Sequence, residues 1–181
     1  MDRDSRDKLR KDTVCEVASQ MPGIGKTGMM KVMYFLQQVY KVSLEYDFDI
    51  YTYGPYDEDV LVAIGDAEKD EKGIDVKTIR YDNGITGYEI TSKEEARSTM
   101  SKNTGAIEEI SQHFSGYTAK KWELTSTILY LHVAYFENKW DFSELFENVR
   151  GIKPHFSIQE IEKEWNYLKE CGFLDRAVSV T

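Results

Sequence analysis

Cysteine, proline and histidine are scarce in this chain, whose 181 residues include 2 Cys, 3 Pro and 3 His. Cys15 and Cys171 stand far apart and match no ligand or redox spacing, which argues against a disulfide framework and for free thiols in a reducing compartment. His113, His132 and His155 share no metal-ligand spacing with one another or with the cysteines. Apolar runs are short: none approaches the roughly 20 residues of a membrane span. The opening segment MDRDSRDKLRKD has no signal-type apolar core. Basic charge is also in deficit, with 23 Lys and Arg against 32 Asp and Glu and a net charge of -9. Phosphate neutralisation supplies much of the affinity of a duplex binder, so this balance disfavours nucleic acid, although a local basic patch can coexist with a negative total. No Gly-x-Ser-x-Gly elbow supports a hydrolase triad. The expectation is a cytoplasmic protein with no membrane contact and no nominated catalytic, cofactor or metal residue.

What is present suits one domain with a core that needs no staples: 41% hydrophobic and 30% charged residues, with 12 Tyr, 8 Phe and 3 Trp. Aromatic richness serves a core or a sticky surface, and composition does not choose between them. After a charged N-terminal tail, Val14, Val17, Ala18 and Met21 predict a short helix. Thr27 to Val42 predicts a helix buried around most of its girth by Met29, Val32, Met33, Phe35, Leu36, Val39 and Tyr40. Thr27, Lys31, Tyr34, Gln38 and Lys41 form its one polar stripe. Tyr46, Phe48 and Ile50 alternate with Asp47 and Asp49, an extended segment. Gly54-Pro55 predicts a turn and Asp57 a cap for a helix interrupted at Gly65.

Ile74 to Thr91 is the strongest β signal, two alternating runs around the turn YDNG. Helices followed by a hairpin are the order of a winged helix. Further helices are predicted from a capping box at Ser92 and Glu95, over Thr118 to Asn138, from Asp141 to Gly151, and from a second box at Ser157 and Glu160 to Gly172. The fold class is therefore mainly α with one small β-hairpin. A winged-helix-like part over 13–91, with its wing at 74–91, packs on a helical part over 92–181 within a single domain.

The stretch QMPGIGKTG imitates a phosphate-binding loop. Gly25-Lys26-Thr27 fits the end of that motif, but its leading glycine would be residue 20, which is Gln20. The residues before it, TVCEVASQ, have helical spacing, whereas such a loop leaves a parallel strand. The glycines and Pro22 are read as breaking one helix before the next begins.

GKTGMMKVMYFLQQ followed by YDFDIYTYGPYDEDV resembles the prokaryotic YwgA-like family and, more distantly, the phage-associated SocA-like or Panacea domains. The resemblance rests on Lys26, Thr27, Lys31, Tyr34, Tyr53, Gly54, Pro55 and Tyr56, and covers Gly25 to Asp59 most closely. It implies a regulatory or adaptor role, with antitoxin and toxin-delivery functions among the Panacea-type relatives, and it carries over no catalytic residue. The tyrosine after Gly-Pro departs from the SocA-like pattern.

Two segments are candidate contact surfaces for a protein partner. Tyr51, Tyr53 and Tyr56 flank the Gly-Pro turn, where tyrosines supply either recognition area at low entropic cost or filling between helix and wing. The stripe Lys31, Tyr34, Gln38 and Lys41 is either a solvated face or a partner contact. Carboxylate runs such as DAEKDEKG read as solvated helix faces. The last helix carries four Glu against two Lys, which suits phosphate poorly. The sequence thus points to a non-enzymatic module binding a protein partner, with a winged-helix DNA-binding regulator as the alternative; self-association is compatible with both.

Overall fold

The computed structural model describes residues 1–80, 84–93, 102–135 and 141–179. Asp2 begins the first helix: its carboxylate accepts from the Ser5 amide at 3.0 Å, satisfying a donor that the first turn leaves open. Helix α1 then runs Arg3–Gln20. The charged opening is therefore helical, not a tail, and the reason lies in Arg10. Its buried guanidinium donates to the Leu44 carbonyl at 2.8 Å, the Glu45 carbonyl at 2.5 Å and the Asp59 carboxylate at 2.8 Å, and sits over the Tyr46 ring.

Gly25 is the N-cap of α2, Lys26–Gln38. The chain reaches it from α1, and Ile24 makes an antiparallel bridge to Ile90. Every strand pair among the described residues is antiparallel, so the phosphate-loop imitation has no parallel strand behind it. Gly28 is a packing requirement: a β-carbon there would lie 2.8 Å from Ile24 Cγ1 and 3.2 Å from the Trp122 indole nitrogen. Residues Gly28 to Leu36 are all buried, as the wide apolar girth predicts. The helix stops at Gln38 instead of Val42, and Lys41 and Glu45 adopt left-handed backbone, with φ of 55° and 54°.

Two hairpins follow, one more than expected. The first pairs β1 (Asp49–Tyr51) with β2 (Gly54–Tyr56). Gly54 and Pro55 are strand residues, and the reversal falls on Thr52 and Tyr53. Asp57 caps α3, Glu58–Lys69, which passes through Gly65 uninterrupted. The second hairpin is the expected wing, β3 (Ile74–Arg80) with β4 (Thr86–Ser92), in register from Ile74↔Ser92 to Arg80↔Thr86. Ile74 and Ile90 are its fully buried residues.

Ser92, predicted to open a helix with Glu95, is the last residue of β4 and pairs with Ile74 across the hairpin; Glu95, Ala96 and Met100, and the helix end at Phe136 and Asn138, lie outside the described residues. Helix α4 spans Thr104–Phe114, with Gly105 tolerated in its first turn. Thr118 caps α5, Ala119–Ala134, which is buried on all sides from Trp122 to Leu129. Reciprocal capping boxes open α6 (Phe142–Ile152, from Asp141 and Glu144) and α7 (Ile158–Glu170, from Ser157 and Glu160). Gly172, at φ 71°, turns the chain into a short α8, Phe173–Val178, which the sequence did not announce.

The two central helices, α2 and α5, pack against each other, and one hydrophobic cluster draws on residues from both halves of the chain. Phe35 of α2 meets Phe114, Trp122 and Phe173 edge-on, with centroids 5.1 to 6.2 Å apart, the offset geometry aromatic quadrupoles prefer.

Candidate partner-binding site

The structure separates the two candidate surfaces. Lys31 is 2% exposed and Tyr34 1%, so neither belongs to a contact face. Lys31 Nζ donates to the Pro55 carbonyl at 2.5 Å, tying α2 to β2. The Tyr34 ring packs edge-on against Phe48, with centroids 5.1 Å apart. Lys41 lies beyond the helix and donates to the Ala177 carbonyl at 2.7 Å, holding the end of α8, while Gln38 is half-buried. The stripe follows a helical period, but neighbouring elements cover it. Periodicity identifies the polar side chains and cannot tell a wet face from an internal tie.

The tyrosines divide differently. Tyr51 and Tyr53 are 67% and 63% exposed, and Tyr56 is half-buried, its ring 5.7 Å from that of Tyr51. They ride on a hairpin whose base is clamped. Gly54, at φ 88°, lies so close to α5 that a β-carbon would stand 2.8 Å from Ser126 Oγ. Only glycine meets both the backbone angle and the space. Tyr130 of α5 donates to the Asp49 carboxylate at 3.2 Å. Lys153, the residue ending α6, donates to the Tyr51 carbonyl at 3.0 Å and also to the Thr52 carbonyl.

Lys153 and Lys31 are buried lysines, and the buried carboxylate of Glu123 on α5 accompanies them. Lys153 Nζ is 3.1 Å from Glu123 Oε1, and His155 Nε2 approaches the same oxygen at 3.5 Å from the exposed side. Two lysines and one carboxylate leave the cluster short of negative charge. Burial, then repulsion from Lys153, pushes the Lys31 amine down to about 7, with Glu123 opposing. Sequence reasoning missed Glu123 and Lys153 altogether. Each is an ordinary surface residue type, and 30 residues part them in the chain. A charge within the fully buried stretch of α5 was the available signal.

Beyond Lys153 the chain passes the mouth of a cleft of about 520 Å³ lined by Phe146, Arg150, Pro154, His155, Phe156 and Ile158. Ile158 in its lining is exposed, as is Ile152 at the end of α6. Lys120 stands 5.1 Å above the Phe156 ring and pairs with Glu160, whereas Arg150 has no ion-pair partner among the described residues. The cleft thus has an apolar floor and a basic edge on an acidic protein. Since Lys153 holds the hairpin tip, the two exposed tyrosines and the cleft adjoin the same residue.

The helix immediately before the wing is α3. Its exposed residues include Glu58, Asp59, Asp66 and Glu68 with Lys69 as their basic companion. No helix among the described residues is long and apolar enough to cross a membrane. No protein-family model matches the chain, and the comparison with curated proteins gives no match.

Proposed function

We propose that this chain is a non-enzymatic regulatory or adaptor module that binds a protein partner through the tip of the β1–β2 hairpin and the adjoining cleft. The observation that carries this reading is the pair Tyr51 and Tyr53, aromatic, exposed and mounted on a braced hairpin. Exposed tyrosines offer large amphipathic contact area, and they bind well because few rotors freeze on contact. A rigid mount lowers the ordering cost further. The basic edge of the cleft favours a partner segment with apolar and acidic side chains. The resemblance to the YwgA-like and Panacea-type domains agrees with an adaptor role, within which phage and toxin–antitoxin biology are the settings to test.

The DNA-regulator alternative draws support from the element order, helices then wing. It requires the helix before the wing to face phosphate, and the acidic exposed residues of α3 oppose that. The deciding experiment compares capture of host proteins by the native chain and by a Tyr51→Ser/Tyr53→Ser double variant, alongside duplex DNA retention at low salt. A specific partner lost in the double variant supports the proposal. Equal capture by both proteins overturns it, and salt-sensitive DNA retention transfers support to the alternative.

A further inference from the structure

The fold brings together Cys171 and His113, which are 58 residues apart in the chain. Cys171 caps the end of α7, His113 lies in the last turn of α4, and Sγ is 3.5 Å from Nδ1. Tyr167 completes the group. Its hydroxyl donates to the His113 carbonyl at 3.1 Å, and the same oxygen is 2.9 Å from Nδ1. Once the phenolic proton is committed to the carbonyl, the phenol oxygen is an acceptor towards the ring, so Nδ1 carries the hydrogen. That N–H also faces the sulfur. The Phe173 ring, edge-on at 5.1 Å, holds the imidazole in place.

A donor aimed at sulfur favours thiolate over thiol. Arg176 Nη2 is 3.5 Å from the Cys171 carbonyl, but its guanidinium is paired on two sides with Glu109, at 2.8 and 3.1 Å, so it adds little net positive charge. Two features oppose: the thiol sits at a helix C-terminus, and Glu164 lies in the next layer, bonded to Tyr117 and Thr125. Cys171 is partly exposed, so a small reagent reaches it.

We infer that Cys171 is an oxidative modification site, its thiolate held by the His113 Nδ1–H and converted to sulfenic acid by hydroperoxides. Sulfur attacks one peroxide oxygen; the S–O bond forms as the O–O bond breaks. Sulfur is oxidised, the peroxide is reduced, and the departing hydroxide, or alkoxide from an organic hydroperoxide, takes a proton from solvent to leave as water or alcohol. Histidine orients and stabilises the thiolate and is not consumed.

The molecule contains its own reference. Cys15 on α1 is also partly exposed, but burial and then Asp12 push its thiol up to about 11. The test exposes the full chain to limiting hydrogen peroxide at pH 7, traps sulfenic acid with dimedone and quantifies each cysteine peptide by mass spectrometry. Cys171 is expected to label about tenfold faster than Cys15, the margin between a thiol facing a ring N–H and one buried beside Asp12. His113→Ala is expected to erase that margin, while Tyr167→Phe, which removes the phenol's own hydrogen bond with the sulfur but leaves Nδ1–H to it, narrows the margin without erasing it. Thermal melts establish that each variant is folded. Equal labelling of the two cysteines in the native protein overturns the inference without any variant, and so does a folded His113→Ala protein that labels Cys171 at the native rate.

Discussion

The two hairpins of this protein are anchored by opposite means. The wing, β3–β4, has seven-residue strands joined by a cross-strand register from Ile74↔Ser92 to Arg80↔Thr86, and it enters the core through Ile74 and Ile90. Its attachments are apolar contact, the backbone bridge to Ile24, and Lys93, which donates to the Glu68 and Asp70 carbonyls at the end of α3. The β1–β2 hairpin has three-residue strands, too short to persist alone. Buried lysine amines hold it instead: Lys31 on Pro55, and Lys153 on Tyr51 and Thr52 beside Glu123. Ladder length decides which device is needed. A long hairpin tolerates a loose apolar mount, whereas a minimal one must have its carbonyls taken up by its neighbours.

The sharpest way to break the comparison is Glu123→Ala. It strips the counter-charge from Lys153 and Lys31, and removing one partner of a buried pair costs about 3–5 kcal/mol. Urea unfolding should show that loss, and hydrogen exchange should place it first in β1–β2, with the wing amides protected as before.

Ile90→Ala is the matching cut at the wing. It deletes a fully buried side chain and should cost about 2–5 kcal/mol, with the exchange pattern reversed. Its penalty should be the same at pH 6.5 and pH 9, since apolar burial has no proton to exchange.

The pH response of the braced hairpin follows from Lys31. In the folded protein its amine titrates near about 7, against an ordinary value of 10.5. Between these values the unfolded chain binds more protons than the folded one, so stability rises with pH across the window. Below about 7 both states are protonated and the full penalty of the buried charge is present. Native protein should gain stability from pH 7 to pH 10 relative to Lys31→Met, measured by urea unfolding at each pH. Parallel curves would show that Lys31 stays charged or solvated throughout.

The smallest expected effect on stability belongs to Tyr51→Ser/Tyr53→Ser. Both rings are exposed, so the change should stay within about 0.5 kcal/mol. If those tyrosines instead hold the hairpin together, the melt will drop well beyond that and the proposed contact face loses its main support.

Reading the chain for structure worked where signals were long. The apolar girth of α2, the alternation of β3 and β4, and the Ser157–Glu160 box each engage a local rule over many residues or a fixed short motif. It fell short at β1–β2, since three residues carry no usable period, and at α8, whose six residues follow a helix-ending glycine. The N-terminal segment misled because charge was taken for exposure: Arg10 is charged and buried, satisfied by carbonyls of a loop 34 and 35 residues away. Of the candidate surface, Tyr51 and Tyr53 are on the outside, and Lys31 and Tyr34 are inside.

By itself, the sequence determined the class of the fold, the wing and the helix caps, because hydrophobic period, turn residues and capping geometry act over a few neighbouring positions. Only the tertiary structure decided which polar side chains became internal ties and which tyrosines met solvent. Burial depends on what other elements place over a residue. The partners of Lys31 and Lys153 arrive from remote parts of the chain, so no local pattern around either lysine encodes them.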